Sequence, residues 1–345
     1  MKIVLAPDKF KGSLSAREVC VAMSQGVREV DPRAAIAQCP MSDGGEGFVD
    51  AVLSAVGGRL LERRVTGPLA EMLVDATFGL LADGQTAVIE MSAASGLHLL
   101  RPEQYDPISA TTRGTGELIL AAVEHGATKI LLGAGGSATC DGGAGCAEAC
   151  RHLDVGRIQI TVACDVSNPL YGPDGAAFVF APQKGASPEQ VNVLDQRLRR
   201  LAEDLKAHDV AARPGSGAAG GLAFGLAASF GATLVPGARL VMGLLNLRDR
   251  LSDADLCITG EGRLDQTSAG GKVSGSVAVL CNELGVPCAA VCGQVDMDFP
   301  QFCHTAALVA HAADKADAMS RAAALVARCT ADIVNAFLRA RSSER

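Results

Sequence analysis

Four segments of this chain interleave glycine with acids, serine or other small residues. They are Asp43-Gly44-Gly45-Glu46-Gly47, the loop Gly135 to Gly143 (GGSATCDGG), Gly217 to Gly221 (GAAGG), and Gly260-Glu261-Gly262-Arg263-Leu264-Asp265. Short apolar runs lead into three of them: IAQCPM at 36–41, KILLGAG at 129–135 and LCIT at 256–259. Glycine at the end of a buried strand lets backbone N–H groups turn toward a ligand. Such groups at a helix start hold anions. Carboxylates beside an anion call for a hard cation between them, and Mg²⁺ is the usual one. The loops therefore predict phosphate chemistry with a divalent ion.

The segments between the loops predict an α/β fold. IVLAP (3–7) reads as a buried strand, and Ser15-Ala16-Arg17-Glu18 as a capping box. Val19, Ala22, Met23, Val27 and Val30 then follow at helical spacing. In the middle, 74–81 and 86–91 read as antiparallel strands joined at Asp83-Gly84. A helix is expected near Gly116–His125, a strand at 160–166 and an acid- and Arg-rich helix at 188–208. CAAVC (288–292) and AALVA (306–310) read as strands, with a last helix over 317–341. Strands alternating with helices predict a doubly wound parallel sheet. The expected partition is a discontinuous Rossmann-like sheet domain, 1–62 plus 252–345, with a second α/β domain inserted at 63–251. The active site is expected in the cleft between the two.

Charge and composition remove other classes. Net charge is −7 and no basic stripe is present, which disfavours nucleic-acid binding. The twelve cysteines include no CxxC pair and sit mostly in apolar runs, so they read as buried free thiols of a reducing, cytoplasmic compartment. MKIVLAPDKF is too short an apolar run for a signal peptide. The uncharged stretch 217–235 just reaches membrane-spanning length. Five glycines and many alanines make it a buried loop and core helix instead.

No standard nucleotide motif is present. Gly271-Lys272 is followed by Val273, not Ser or Thr, and the series from Gly260 ends in Asp265 where a dinucleotide fingerprint needs Gly. Basic residues near the loops are few: Lys9 and Lys11 after the first strand, Lys184, and Arg263 and Lys272 around Asp265. A transferred phosphoryl group needs such cations, and an organic acid needs one for its carboxylate. Asp165 ends the strand at 160–166 as a metal or catalytic candidate, or as an Asx turn before Pro169. The histidines are scattered, and His98 reads as structural.

Taken in order, the motifs resemble a known family. Pro7-Asp8-Lys9-Phe10-Lys11-Gly12-Ser13, Asp43 to Gly47, Val65-Thr66-Gly67-Pro68-Leu69 and Ile89-Glu90-Met91 open the series. Gly114-Thr115-Gly116-Glu117-Leu118, Gly135 to Thr139, Cys164-Asp165-Val166 and Gln183-Lys184-Gly185 continue it. Gly217 to Gly221 and Gly260 to Asp265 with Gly271-Lys272 complete it. The chain resembles the bacterial type I glycerate kinases over nearly its whole length. It departs from them at Cys140, where that family has Asn, at Ala70 and Ala181, where it has Gly, and in a short stretch between Gly145 and Cys164.

The resemblance implies ATP-dependent phosphorylation of D-glycerate, with 2-phosphoglycerate favoured over 3-phosphoglycerate. On that reading Gly44, Gly45, Gly135, Gly136, Ser137, Gly142 and Lys184 bind the nucleotide phosphates. Asp141, Asp165 and Glu261, with Asp43, are the Mg²⁺ candidates. Ser13, Arg263 and Lys272 bind substrate, its carboxylate falling to Arg263 or Lys11. Asp265, with Asp43 second, takes the proton of the attacking hydroxyl, and Lys11 supports the transfer. A homodimer is compatible with the chain but not required by it. Another nucleotide-dependent enzyme, or a non-catalytic binder of phosphorylated metabolites, would present similar loops.

Overall fold

The computed structural model describes residues 1–266, 272–297 and 299–343. Gly271 of the Gly271-Lys272 motif lies outside the described residues. The strands are β1 (Lys2–Pro7), β2 (Ala35–Gln38), β3 (Gly58–Thr66), β4 (Leu73–Leu81), β5 (Thr86–Glu90) and β6 (Lys129–Gly133). After them come β7 (Gln159–Ala163), β8 (Thr233–Val235), β9 (Leu256–Leu264), β10 (Cys288–Val295) and β11 (His304–Ala307). The fold is α/β, as expected, and the chain forms two compact units. One comprises Met1–Asp43, Asp50–Ala55 and Ala238–Arg345, and the other Gly44–Val49 and Val56–Gly237.

The first unit holds an all-parallel sheet in the order β11-β10-β9-β1-β2. β1 is an interior strand of this sheet, between β9 and β2, and its Ile3, Val4, Leu5 and Ala6 are fully buried. Continuous apolar sequence suits a strand covered on both faces. Helix Ala16–Val30 starts at the expected capping box, with Ser15 and Glu18 bonding reciprocally. Its Val19, Met23 and Val27 join β1 and the helix Ala322–Ser343 in one core with Leu325, Val326 and Cys329. Gly26 marks the helix contact: a Cβ there would stand 2.1 Å from the carbonyl oxygen of Ala327.

One expected loop is corrected to strand. The segment Gly260–Leu264 continues β9, pairing with β10 as far as Leu264 opposite Val295. Gly260 serves close backbone approach, because a Cβ there would lie 2.1 Å from Val291 O. The strand expected at 306–310 starts earlier, at His304, and turns into a 3₁₀ helix at Leu308–His311.

The second unit holds a six-stranded sheet, β3-β4-β5-β6-β7-β8, antiparallel from β3 to β5 and parallel from β5 to β8. The β4–β5 hairpin turns at Asp83-Gly84 as expected, with Gly84 at φ 68° and the Asp83 carboxylate accepting from Gln85 N–H and Thr86 N–H. The sequence pattern does not announce β3. It is an edge strand whose Arg59, Glu62, Arg63 and Arg64 are exposed, so its charge hides the strand period. The short connection after Gly145 leaves the sheet intact, for β6 and β7 pair without interruption from Lys129–Gln159 to Gly133–Ala163. Helix Ala218–Phe230 is almost wholly buried, and no helix among the described residues is long and apolar enough to cross a membrane.

Gly26→Val should lower stability by roughly 1–3 kcal/mol, the usual cost of overpacking. Urea unfolding reads this directly, and an unchanged midpoint would show that the two helices do not meet at Gly26.

Candidate active site

Three of the four glycine-rich segments meet in the second unit. Gly44 packs on the end of β7, where its Cβ would lie 2.8 Å from Ala163 Cβ, and Gly135 faces Gly45 with only 2.6 Å to spare. Gly220, at φ 65°, lies against Thr139, and Gly142 N–H donates to Gly220 O at 3.0 Å. Side chains at these points would force the loops apart. The sequence requirement for glycine is thus one of mutual packing as well as of turning.

The tip of the loop after β6 presents backbone donors. Leu97 N–H donates to Gly136 O and Ala138 N–H to Ser95 O, which pins the tip on both sides. The N–H groups of Gly135, Gly136 and Ser137 bond to no protein acceptor among the described residues. Gly136 is exposed and left-handed, at φ 72°. Successive N–H groups around such a residue form an anion-binding nest.

Lys184 supplies positive charge behind this tip. It is 3% exposed, and its Nζ donates to Ser137 Oγ at 2.7 Å and to Thr139 O at 2.8 Å. Burial draws its ammonium down to about 8, with neighbouring Cys140 and Asp141 opposing that fall. Cys140 is itself buried, and burial pushes its thiol up to about 11. Thr139 Oγ1 is buried with no hydrogen-bond partner among the described residues.

Asp141 closes the same loop. Its Oδ2 accepts from Thr112 N–H and Oγ at 2.8 Å each and from Gly145 N–H at 3.2 Å, while Oδ1 accepts from Gly143 N–H at 3.0 Å. Both oxygens are spent on the loop and on the start of helix Arg113–Glu124. Asp165 follows β7, is exposed, and accepts from Gly237 N–H at 2.8 Å. Glu261, the third expected metal residue, belongs to the first unit.

In that unit, an acid just past the end of β1 stands beside an acid inside β9. Pro7 pairs with Gly260, so Asp8 and Glu261 emerge side by side, and Asp8 N–H donates to Gly260 O at 2.8 Å. Asp43 joins them through Lys9, whose Nζ lies 3.4 Å from Asp43 and 3.6 Å from Asp8. Burial pushes the Asp8 carboxyl up to about 7; Asp43 and Glu261 add to the rise and Lys9 opposes it. Asp8 stands in the first motif of the series but receives no role from the sequence pattern. The available signal is its position, directly after a fully buried parallel strand, where ligands gather.

The remaining candidates of the first unit form a charged string. Arg263 is paired with Asp296 at 2.5 Å, and its Nε lies 3.9 Å from Asp265. Lys272, at the start of helix Val273–Leu284, lies 3.9 Å from Asp265 on another side. Lys11 is exposed beside Gly12, which has φ 78°, and Ser13 Oγ donates to Phe10 O at 3.0 Å. No acidic trio among the described residues has its oxygens gathered within 4.8 Å. Hard carboxylate oxygens in ones and twos still fit Mg²⁺, which keeps several waters and binds through one or two carboxylates plus substrate phosphates.

The candidates thus divide by unit. Gly44, Gly45, Gly135, Gly136, Ser137, Gly142, Lys184, Asp141 and Asp165 lie in the second. Lys11, Ser13, Asp43, Glu261, Arg263, Asp265 and Lys272 lie in the first.

Comparison with known proteins gives the family. The sequence profile described as "Glycerate kinase family" matches residues 3–154 and 151–338. A protein of Escherichia coli named glycerate 2-kinase is 44% identical over 330 residues, 86% of each chain. A glycerate kinase of Bacillus subtilis is 42% identical over 330 residues, again 86% of each chain. The crystal structure of a putative glycerate kinase 2 from Salmonella typhimurium superposes with a TM-score of 0.86 at 38% identity, covering 99% of both chains. The chain belongs to the glycerate kinase family.

Asp8 makes stability depend on pH. Its folded carboxyl, at about 7, lies above the unfolded value of 3.8. The neutral form favours folding, so its contribution is full below pH 4 and is lost as pH rises to 7. At about 1.4 kcal/mol per unit, the loss is roughly 4 kcal/mol. Asp8→Asn should flatten this decline and raise the melting temperature at pH 8 relative to the parent, with little difference at pH 4. Parallel melting curves for the two proteins would remove Asp8 as their source.

Proposed function

We propose that the chain phosphorylates D-glycerate from ATP, with 2-phosphoglycerate the favoured product. The observation that carries this reading is the array of N–H groups at Gly135, Gly136 and Ser137, backed by the buried Lys184 ammonium. A preset cradle with a cation behind it suits the phosphates of a nucleotide. Relatives named as glycerate kinases support the acceptor, and the name glycerate 2-kinase supports the product.

The roles follow the chemistry of each residue. The second unit binds the nucleotide through Gly44, Gly45 and the 135–137 tip, with Lys184 acting as a fixed positive charge beneath Ser137. Gly142 and Asp141 hold that tip in shape, and Asp165, Glu261 and Asp43 are candidates for holding Mg²⁺. When bound, Mg²⁺ neutralises charge on the phosphates as the phosphoryl group moves. Arg263 or Lys11 takes the carboxylate of glycerate, and Ser13 and Lys272 complete substrate binding. Asp265, placed between the cations Arg263 and Lys272, accepts the proton of the attacking hydroxyl, with Asp43 the second choice.

An assay coupled to ADP release should show turnover that requires D-glycerate, and turnover that requires NAD would point instead to a dehydrogenase. A phosphorus NMR spectrum of the product distinguishes the two phosphoglycerates. Asp265→Asn should lower kcat by about 10²- to 10⁴-fold with ATP binding retained; near-normal turnover would transfer the base role to another acid. Gly136→Val should weaken nucleotide binding while unfolding stays cooperative, because a side chain at φ 72° breaks the nest.

A further inference from the structure

The first unit carries a second chemical cluster that the kinase reading does not use. Cys257 lies in β9 and Cys288 opens β10 directly opposite it in the parallel register. Cys281 comes from the last turn of helix Val273–Leu284, which connects those strands. The three residues are buried, and their sulfurs lie within 4.8 Å of one another.

A fourth cysteine, outside the trio whose sulfurs lie within 4.8 Å of one another, extends the row. Cys303 immediately precedes β11, and its N–H donates to the carbonyl of Cys288 at 2.7 Å. It is one step before the paired residues Ala289 and His304, so cysteines stand level on three neighbouring strand positions. Cys257 and Cys288 are buried, and Cys303 is exposed at the end of the row.

This spacing is compatible with one shared metal ion. Thiolates bound at about 2.3 Å around a tetrahedral ion lie about 3.8 Å apart, so the sulfurs need only small shifts to share one ion. Sulfur donors select soft or borderline cations and reject hard Mg²⁺. We propose that Cys257, Cys281 and Cys288 form a buried thiolate site for a d¹⁰ cation, Zn(II) or Cu(I), with Cys303 as entry thiol and fourth donor. On loading, each ligating thiol releases its proton to solvent as its sulfur–metal bond forms, and no electron is transferred. The bound ion would tie β9, β10 and the helix Val273–Leu284 together.

The test uses the full chain, reduced and stripped with a chelator, titrated without oxygen with Cd(II) as a stand-in for zinc and separately with Cu(I). One equivalent should bind with thiolate-to-metal charge-transfer absorption, raise the melting temperature, and show three or four sulfur neighbours by X-ray absorption. Bound Cd(II) should shield Cys303 from iodoacetamide. Cys303→Ser, at an exposed position, should weaken Cd(II) by at least about tenfold if zinc is the natural ion; three-sulfur Cu(I) binding should survive it. Cys281→Ala should abolish the charge-transfer band for both. A wild-type chain that shows no such band at one equivalent, or a metal with only nitrogen and oxygen neighbours, overturns the site without reliance on any variant. Cd(II) binding that ignores Cys303→Ser overturns its role as fourth donor. None of these readouts depends on kinase activity, so the two readings fail separately.

Discussion

The pairing of β1 with β9 is the contact on which the first unit depends. It joins residues more than 250 positions apart, from Ile3–Leu256 to Pro7–Gly260. Closing so long a loop is entropically costly, and the return is an interior pair of strands buried from Ile3 to Pro7 and from Leu256 to Glu261. The same register sets Asp8 beside Glu261, so the concentration of negative charge follows from how the core strands align. Extending β9 through Gly260 and Gly262 is what brings Glu261 into the sheet and buries it.

The second unit solves a different problem: how to hold an open loop rigid. Glycine contacts remove the space in which the loops could move, Asp141 closes one end with four hydrogen bonds, and Lys184 holds the middle from below. A buried ammonium is costly unless its charge is used. Here it bonds to a hydroxyl and a carbonyl rather than to a carboxylate, and Asp141 acts on it only through space. Preorganised charge of this kind is what phosphoryl transfer asks of a protein.

Much of the fold was legible in local pattern. The capping box at Ser15, the Asp83-Gly84 hairpin and the buried run of β1 each rest on neighbours in sequence, and each is present. The failures share a cause. β3 escaped notice because an edge strand carries charge where a central strand carries apolar residues, and Gly260–Leu264 looked like a loop because glycine is read as a turn until a partner strand is known. Among site residues, Asp8 carries no local mark; its burial and its neighbours arise from three separate stretches of chain.

The glycine- and acid-rich segments, their order and the absence of any standard nucleotide motif were enough to indicate a phosphate-handling α/β enzyme and its family, because residue types and short spacings are properties of the chain itself. Which acids stand together, which are consumed in holding loops, and which cysteines among twelve converge were decided only by tertiary structure. The reason is register: Cys257, Cys281 and Cys288 share no sequence spacing that marks a site, and one step of slip between β9 and β10 would turn two of them to opposite faces.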